Sequence, residues 1–273
     1  MHDILKNCKS ILGEIPLGPY RISVGLKLRE AMLLNGMLFN SEIWYGLKEE
    51  EVQKLASVDE YLLRSILGVP SKTPKEALYL ETGCIPIKYL LKMRRIMYLH
   101  HIVRRPEKEL IRKFYEAQKC KISKGDWVQI VQENMNQINL EMSELAISKM
   151  SKHKFKKIVK KHISSAAFGE LIRIKDTHSK MQDTKYSKLE VQGYLKSDSG
   201  LSDNRKQLLV KLRTRMYGVK ANFRNHYGNQ QCRLCKTEIE DQPHLFMCQK
   251  IIENCDSLAE NTQVEYEHIF WHT

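Results

Sequence analysis

The stretch from Gln231 to Lys250, QCRLCKTEIEDQPHLFMCQK, constrains the fold of this chain more than any other. Cys232 and Cys235 stand two residues apart, His244 follows after eight more, and Cys248 after a further three. A Cys-x-x-Cys pair forms a knuckle that presents both sulfurs to one ion, and a His and a Cys four positions apart can share one face of a helical turn. The spacing closes a tetrahedral Cys3His set of the kind that holds a structural Zn2+ ion, with no position open for substrate water. A 17-residue loop of this sort cannot bury a core of its own. Ion binding, which contributes on the order of 10–16 kcal/mol in isolated finger peptides, is then what orders it. Two competing readings are buried thiols beside a surface histidine, and Cys255 in place of His244 as fourth ligand.

The rest of the chain reads as helix. In 273 residues there are only 13 Gly and 7 Pro beside many Leu, Lys, Glu and Met, a balance that favours helices over turn-dense β structure. Gly13, Pro16, Gly18 and Pro19 break the entry ILGEIPLGPYRISVG, where a strand or hairpin remnant fits. A helical pattern then runs from Leu26 to Tyr45. Val52, Leu55, Val58, Leu62 and Ile66 mark an amphipathic helix stopped by Gly68 and Pro70. Thr73-Pro74-Lys75-Glu76 reads as a capping box opening a short helix that Gly83 closes. A further helix spans about Pro86 to Arg104, with Pro106 beyond it. Short connections between these helices imply a bundle. The character changes near 120–125, where a soft domain boundary is expected before a helix capped by Asp126, a helix rich in Lys and His to about 180, a loop containing KSDSGLSDN, and a basic helix from about Arg205 to Arg224.

Charge points to a polyanionic partner. Lys and Arg number 45 against 32 Asp and Glu, a formal net charge of +13. Residues 250–273 set Lys250 against Glu253, Asp256, Glu260, Glu265 and Glu267, so residues 1–249 carry +17. Much of the surplus lies in two places. KMSKHKFKKIVKK carries Lys152, Lys154, Lys156, Lys157, Lys160 and Lys161 without an acid. The basic helix carries Lys211, Arg213, Arg215, Lys220 and Arg224 away from a stripe of Leu208, Leu212, Met216, Val219 and Phe223. These cations are candidate phosphate contacts, with Tyr217 and Tyr227 as stacking groups, although a solvated face and packed tyrosines explain the same pattern. His100 and His101 read as packing residues, and Cys8, Cys84 and Cys120 as unreactive thiols.

Several function classes lack a starting point. There is no Walker loop, GxGxxG, GxSxG or HExxH. The longest apolar runs fall well short of the ~20 residues a membrane-spanning helix needs, and Met1-His2-Asp3 does not open a secretory leader. An intracellular protein of nucleus or cytoplasm, with no membrane partner, is the expectation.

The runs GLKLREAMLLNGMLFNSEIWYGL, LLRSILGVPSKTPKEALYLETGCIPI and KYLLKMRRIMYLHHIVRRP, the KGDW loop, the LRTRM helix and the Cys-Cys-His-Cys knuckle appear in that order. Together they resemble the region after the palm in reverse transcriptases of non-LTR retrotransposons, of the class with a restriction-like endonuclease at the end of the chain. The likeness covers about residues 10–250. It implies a mainly α fold, with a helical thumb-like bundle followed by a helical linker and a small zinc knuckle. It divides the chain into a palm-to-thumb remnant (1–25), a thumb-like bundle (26–120), a basic linker (121–204), the basic helix with the knuckle (205–250) and an acidic tail (251–273). It carries over as metal ligands only Cys232, Cys235, His244 and Cys248, and by family analogy it makes RNA or DNA the partner.

The family's two catalytic centres have no counterpart here. Polymerases of this kind clamp two metal ions on palm aspartates, commonly in a Tyr-x-Asp-Asp turn, and the nine aspartates here never stand in pairs. Nor is there a Pro-Asp dipeptide matching the nuclease motif. The expected protein is a truncated reverse-transcriptase-like chain that binds nucleic acid without polymerase activity of its own. The alternatives are a domesticated zinc-dependent adaptor for nucleic acid or protein, and one part of a longer RNA-directed DNA polymerase. Apolar residues that would face a palm, such as Phe39 and Trp44, are expected to drive self-association if left exposed.

Overall fold

The structure, a computed structural model, describes residues 20–123, 125–181, 184–223 and 228–253, together with Ser10 and Gly13. It is mainly α. Among the described residues the β pairing consists of two isolated bridges, Thr82 with Val191 and Gln231 with Ile239. The chain divides after Val210 into two compact units.

The first unit opens with α1, Arg21–Leu28, which continues through a π-helical turn, Arg29–Leu34, and ends with Asn35–Met37. Residues 21–25 are therefore helical where a strand or hairpin remnant was expected. A Cβ at Gly25 would come within 2.9 Å of Ile66 Cγ1, so the missing side chain lets α1 approach α2, Glu49–Leu67. The pattern read as helix to Tyr45 ends at Met37, after which Leu38–Ser41 turn and Asn40 adopts φ 54°. Of the remaining entry positions, 11, 12 and 14–19, including Pro16, Gly18 and Pro19, lie outside the described residues, as do Cys8 and residues 254–273 with Cys255.

Helix α2 matches its periodicity. Val58, Leu62, Leu63, Ile66 and Leu67 are buried, Glu51 accepts the Lys48 amide at its start, and Gly68 ends it in the left-handed conformation at φ 64°. Helix α3, Lys75–Thr82, forms without the capping box. The Thr73 hydroxyl is buried without a hydrogen-bond partner, and the buried Glu76 lies instead 3.3 Å from His178 Nε2. Tertiary pairing has displaced a local cap here. Gly83 closes α3 at φ 65°, and a Cβ there would fall 2.3 Å from the Glu190 carbonyl carbon. The bare backbone admits the 186–195 segment, whose Tyr186 and Tyr194 hydroxyls each donate to the buried Glu81 carboxylate at 2.7 Å.

Two long helices carry the unit: α4, Ile87–Val103, and, after α5 (Leu110–Cys120), α6 (Trp127–Gln137) and α7 (Glu144–Lys149), the helix α8, Lys152–Lys175. One core cluster joins α1, α2, α3, the start of α4 and the end of α8 around Leu62, Ile66, Leu78, Ile87 and Leu171. A second joins the rest of α4 to α5, α6, α7 and the start of α8 around Ile96, Val131, Phe155, Val159 and Ile163. The expected boundary near 120–125 thus sits inside this unit, because α4 packs on elements from both sides of it. His100 is a packing residue, stacked on Phe155 with its ring nitrogen 3.0 Å from the Met150 carbonyl. His101, by contrast, is exposed.

The basic helix is shorter than its sequence pattern. Helix α9 spans Asp203–Arg213 and ends in a Schellman turn. Arg215 takes φ 50°, its amide bonds to the Leu212 carbonyl, and the Met216 amide reaches back to Lys211 at 2.7 Å. Met216 and Val219 are buried, but Leu208 is exposed and the helix turns Lys206 and Val210 inward instead.

Candidate functional site

In the second unit the knuckle is built by its backbone. The Cys232 amide donates to the Glu238 carbonyl at 2.7 Å, the Glu240 amide donates to Gln230 at 2.8 Å, and the Lys236 amide donates to Cys232 at 3.0 Å. Lys236 supplies the left-handed turn at φ 60°. A short helix, α10, Gln242–Met247, follows. Asp241 caps it by accepting the His244 amide at 2.8 Å, Pro243 occupies its first turn, and Cys248 ends it. The turn and the cap bring the four expected side chains together.

Cys232 Sγ lies 3.9 Å from Cys248 Sγ, and Cys235 Sγ lies 3.3 Å from His244 Nε2. All four ligand atoms fall within 4.8 Å of one another. Bonds of ~2.3 Å to sulfur and ~2.0 Å to nitrogen, set tetrahedrally, give edges of about 3.5–3.8 Å. The side chains therefore fit one four-coordinate metal ion. Cys232, Cys248 and His244 are buried and Cys235 is half-buried, so the set can hold an ion away from bulk water.

Neighbouring groups tune these ligands. The Thr237 hydroxyl donates to Cys235 Sγ at 3.1 Å and, with the Thr237 and Glu238 amides, lowers the thiol pKa to about 6. That favours the thiolate a metal requires. Glu238 Oε2 lies 3.0 Å from His244 Nδ1, which leaves Nε2 aimed at the sulfurs. A carboxylate on the far ring nitrogen commonly fixes the tautomer of a ligating histidine. Hydrogen bonds to Cys232 and Cys235 and to Glu238 push the His244 pKa up to about 9.

A buried carboxylate braces the knuckle. Glu240 accepts the Arg233 and Lys220 amides, at 3.0 and 3.2 Å, and the Arg233 guanidinium, and these hold its pKa down to about 2. Lys220 Nζ also donates to the Gln231 carbonyl at 2.8 Å. Lys220, expected on a phosphate-contacting face, is thus part of the knuckle's support. Thr237, Glu238 and Glu240 lie inside the cysteine and histidine motif itself. The signal that could have found them is that residues between metal ligands also serve the ligands.

The other predicted cations separate into two groups. Lys152, Lys154, Lys156, Lys157, Lys160 and Lys161 are all exposed on α8, while Phe155, Val159 and Ile163 anchor it. No carboxylate pairs with any of these six among the described residues. Lys211, Arg213 and Arg215 are half-buried, and Arg224 and Tyr227 lie outside the described residues. Tyr217 is exposed. Burial pushes the Cys84 thiol up, consistent with an unreactive group, and Cys120 is exposed. Among the described residues no helix is long and apolar enough to cross a membrane. No protein-family model, curated protein or solved structure matches the chain.

Proposed function

We propose that this chain is a nucleic-acid-binding protein derived from the thumb, linker and knuckle of a non-LTR retrotransposon reverse transcriptase, without polymerase or endonuclease activity of its own. The ion in its Cys3His set is zinc, since thiolate and imidazole in a closed tetrahedral set select that metal over the hard cations. The observation that carries the binding function is the exposed face of six lysines on α8, held outward by the buried Phe155–Val159–Ile163 stripe. A helix so anchored offers fixed cations to a phosphate backbone at little ordering cost.

The test is the salt dependence of binding to RNA and DNA oligonucleotides. If five of these lysines meet phosphates, log K falls with log salt at a slope of roughly −3.5 to −4.5. Charge reversal at Lys157 and Lys161 should reduce that slope, and a slope near zero for the native chain rejects the reading. Nucleotide incorporation on a primed RNA by the purified chain would reject the absence of polymerase activity. The alternative of a domesticated zinc-dependent adaptor draws on the complete ligand set and its braces at Thr237, Glu238 and Glu240. Chelation that leaves fold and RNA affinity unchanged would remove that alternative.

A further inference from the structure

A cavity of about 650 Å3 opens between α4, the turn after it and the start of α8. Its size lies in the ~300–1,000 Å3 range of small-molecule pockets. Met93, Met97 and Tyr98 give it apolar surface, and Arg94, Arg104, Arg105 and Lys152 bring four cations to it against the single carboxylate of Glu42. Arg94 spends one nitrogen on the Leu38 carbonyl at 2.7 Å, and Arg105 lies 3.8 Å from Glu109. Arg104 and Lys152 have no acidic partner among the described residues.

The apolar side of the cavity holds a prepared flat surface. Tyr98 and His101 lie stacked, with ring centres 5.8 Å apart and planes 12° from parallel. The edge of Trp127 braces Tyr98, and the Trp127 indole is itself fixed by donating to the Glu42 carbonyl at 2.8 Å. The Arg105 guanidinium holds the ring in place by donating to His101 Nε2 at 3.4 Å, and desolvation with the nearby charges of Arg105 and Lys152 holds the imidazole below its ordinary pKa. A planar stack beside a cluster of cations matches one ligand chemistry, an aromatic base joined to a phosphate. An inorganic anion would leave the stack unused, and an apolar ligand would leave Arg104 and Lys152 without a counter-charge.

We propose that this cavity binds one nucleotide of a single strand, with the base on the Tyr98–His101 stack and the phosphate on Arg104, Arg105 and Lys152. The proposal rests on the reading of α8 as a nucleic-acid contact and gives it a terminus. Lys152 lines the cavity and also begins the lysine series, with Lys156 and Lys160 one and two helical turns further on. A strand seated in the cavity can therefore continue along the exposed face of α8.

The test uses the zinc-loaded full chain with AMP, inorganic phosphate and a single-stranded oligonucleotide, read by saturation-transfer NMR and fluorescence anisotropy. The native chain should bind AMP more tightly than phosphate, and the oligonucleotide should displace AMP. The exposed-site variant His101→Ala/Arg104→Glu, its fold checked by thermal melting, should lose AMP binding at least tenfold. Lys157→Glu/Lys161→Glu should keep AMP binding while weakening the oligonucleotide. No AMP binding, AMP binding untouched by the cavity variant, or simultaneous binding of AMP and oligonucleotide overturns the proposal. Failure of the native chain to bind the oligonucleotide instead overturns the α8 reading, which separates the two.

Discussion

Removing the metal should unfold the second unit and leave the first intact. Among the described residues from Lys211 onward, the buried apolar side chains are Met216, Val219 and two of the cysteine ligands. Fully burying a Met and a Val contributes about 1.5–3 kcal/mol each, about 3–6 kcal/mol together. A structural zinc site contributes on the order of 10–16 kcal/mol. The metal term is thus larger by at least about 4 kcal/mol. Its loss also removes the constraint that holds Lys236 at φ 60°, a conformation an L-residue resists by roughly 1–2 kcal/mol. The assay is amide hydrogen exchange with zinc bound and after chelation. With zinc, the Cys232, Lys236 and Glu240 amides, all bonded within the knuckle, should exchange slowly. After chelation they should exchange at free-peptide rates, while amides of α4 and α8 keep their protection, because both cores of the first unit are assembled from its own helices. Knuckle amides that stay protected with no zinc left by elemental analysis would refute the reasoning. Cys248→Ser should behave like partial chelation.

The first unit makes its own predictions. Arg29 and Asp59 form a fully buried bidentate pair, with Nε to Oδ1 at 2.5 Å and Nη2 to Oδ2 at 2.8 Å. Asp59→Ala strands the guanidinium and should destabilise the unit by about 3–5 kcal/mol in urea unfolding, whereas the double change Arg29→Met/Asp59→Leu should recover most of that loss. At Glu170, burial would raise the carboxyl, but hydrogen bonds from Lys88 and Tyr89 outweigh it and hold the pKa below its ordinary value of 4.5. A depressed folded pKa gives stability that is present above about 4.5 and lost as pH falls further, so Glu170→Gln should flatten the stability–pH curve on that acid side. Phe39, 69% exposed, lies in the same short segment of sequence as the exposed Ile43 and Tyr45, so sedimentation should show self-association that Phe39→Ser/Tyr45→Ser weakens. A native chain that stays monomeric at high concentration contradicts this.

Where the sequence was legible, one local force decided the outcome. The 3.6-residue periodicity of Val52 to Ile66, ended by Gly68, returned as α2 with its bounds nearly unchanged. The Cys-x-x-Cys and His-x-x-x-Cys spacings returned as four converging side chains, since a short loop leaves few other arrangements. Where a distant partner competed, local signals failed. Glu76 answers His178 rather than the Thr73 cap, and residues 21–25, expected in a strand or hairpin remnant, are helical with Gly25 against Ile66. The burial of Arg29, 2% exposed against Asp59, was not read from the sequence. The signal available was Asp59 itself, an acid inside the apolar stripe of α2, which needs a cation if it is to be buried. The early end of α9 had no such signal, because its left-handed residue is Arg215 where a glycine would have announced the turn.

The two candidate nucleic-acid surfaces rest on different supports, and that makes them separable. The lysines of α8 are held by side chains packed in the core, so chelation should not move them. Lys220 is held by the knuckle, through Gln231 and Glu240, so chelation should release it. If α8 binds the nucleic acid, the salt slope should survive chelation nearly unchanged. If the residues from Lys211 onward bind it, the slope should shrink by about 0.7–0.9 for each phosphate that the freed cations let go. One titration, repeated with and without zinc, therefore assigns the binding to one support or the other, and no mutation is needed that could disturb either fold.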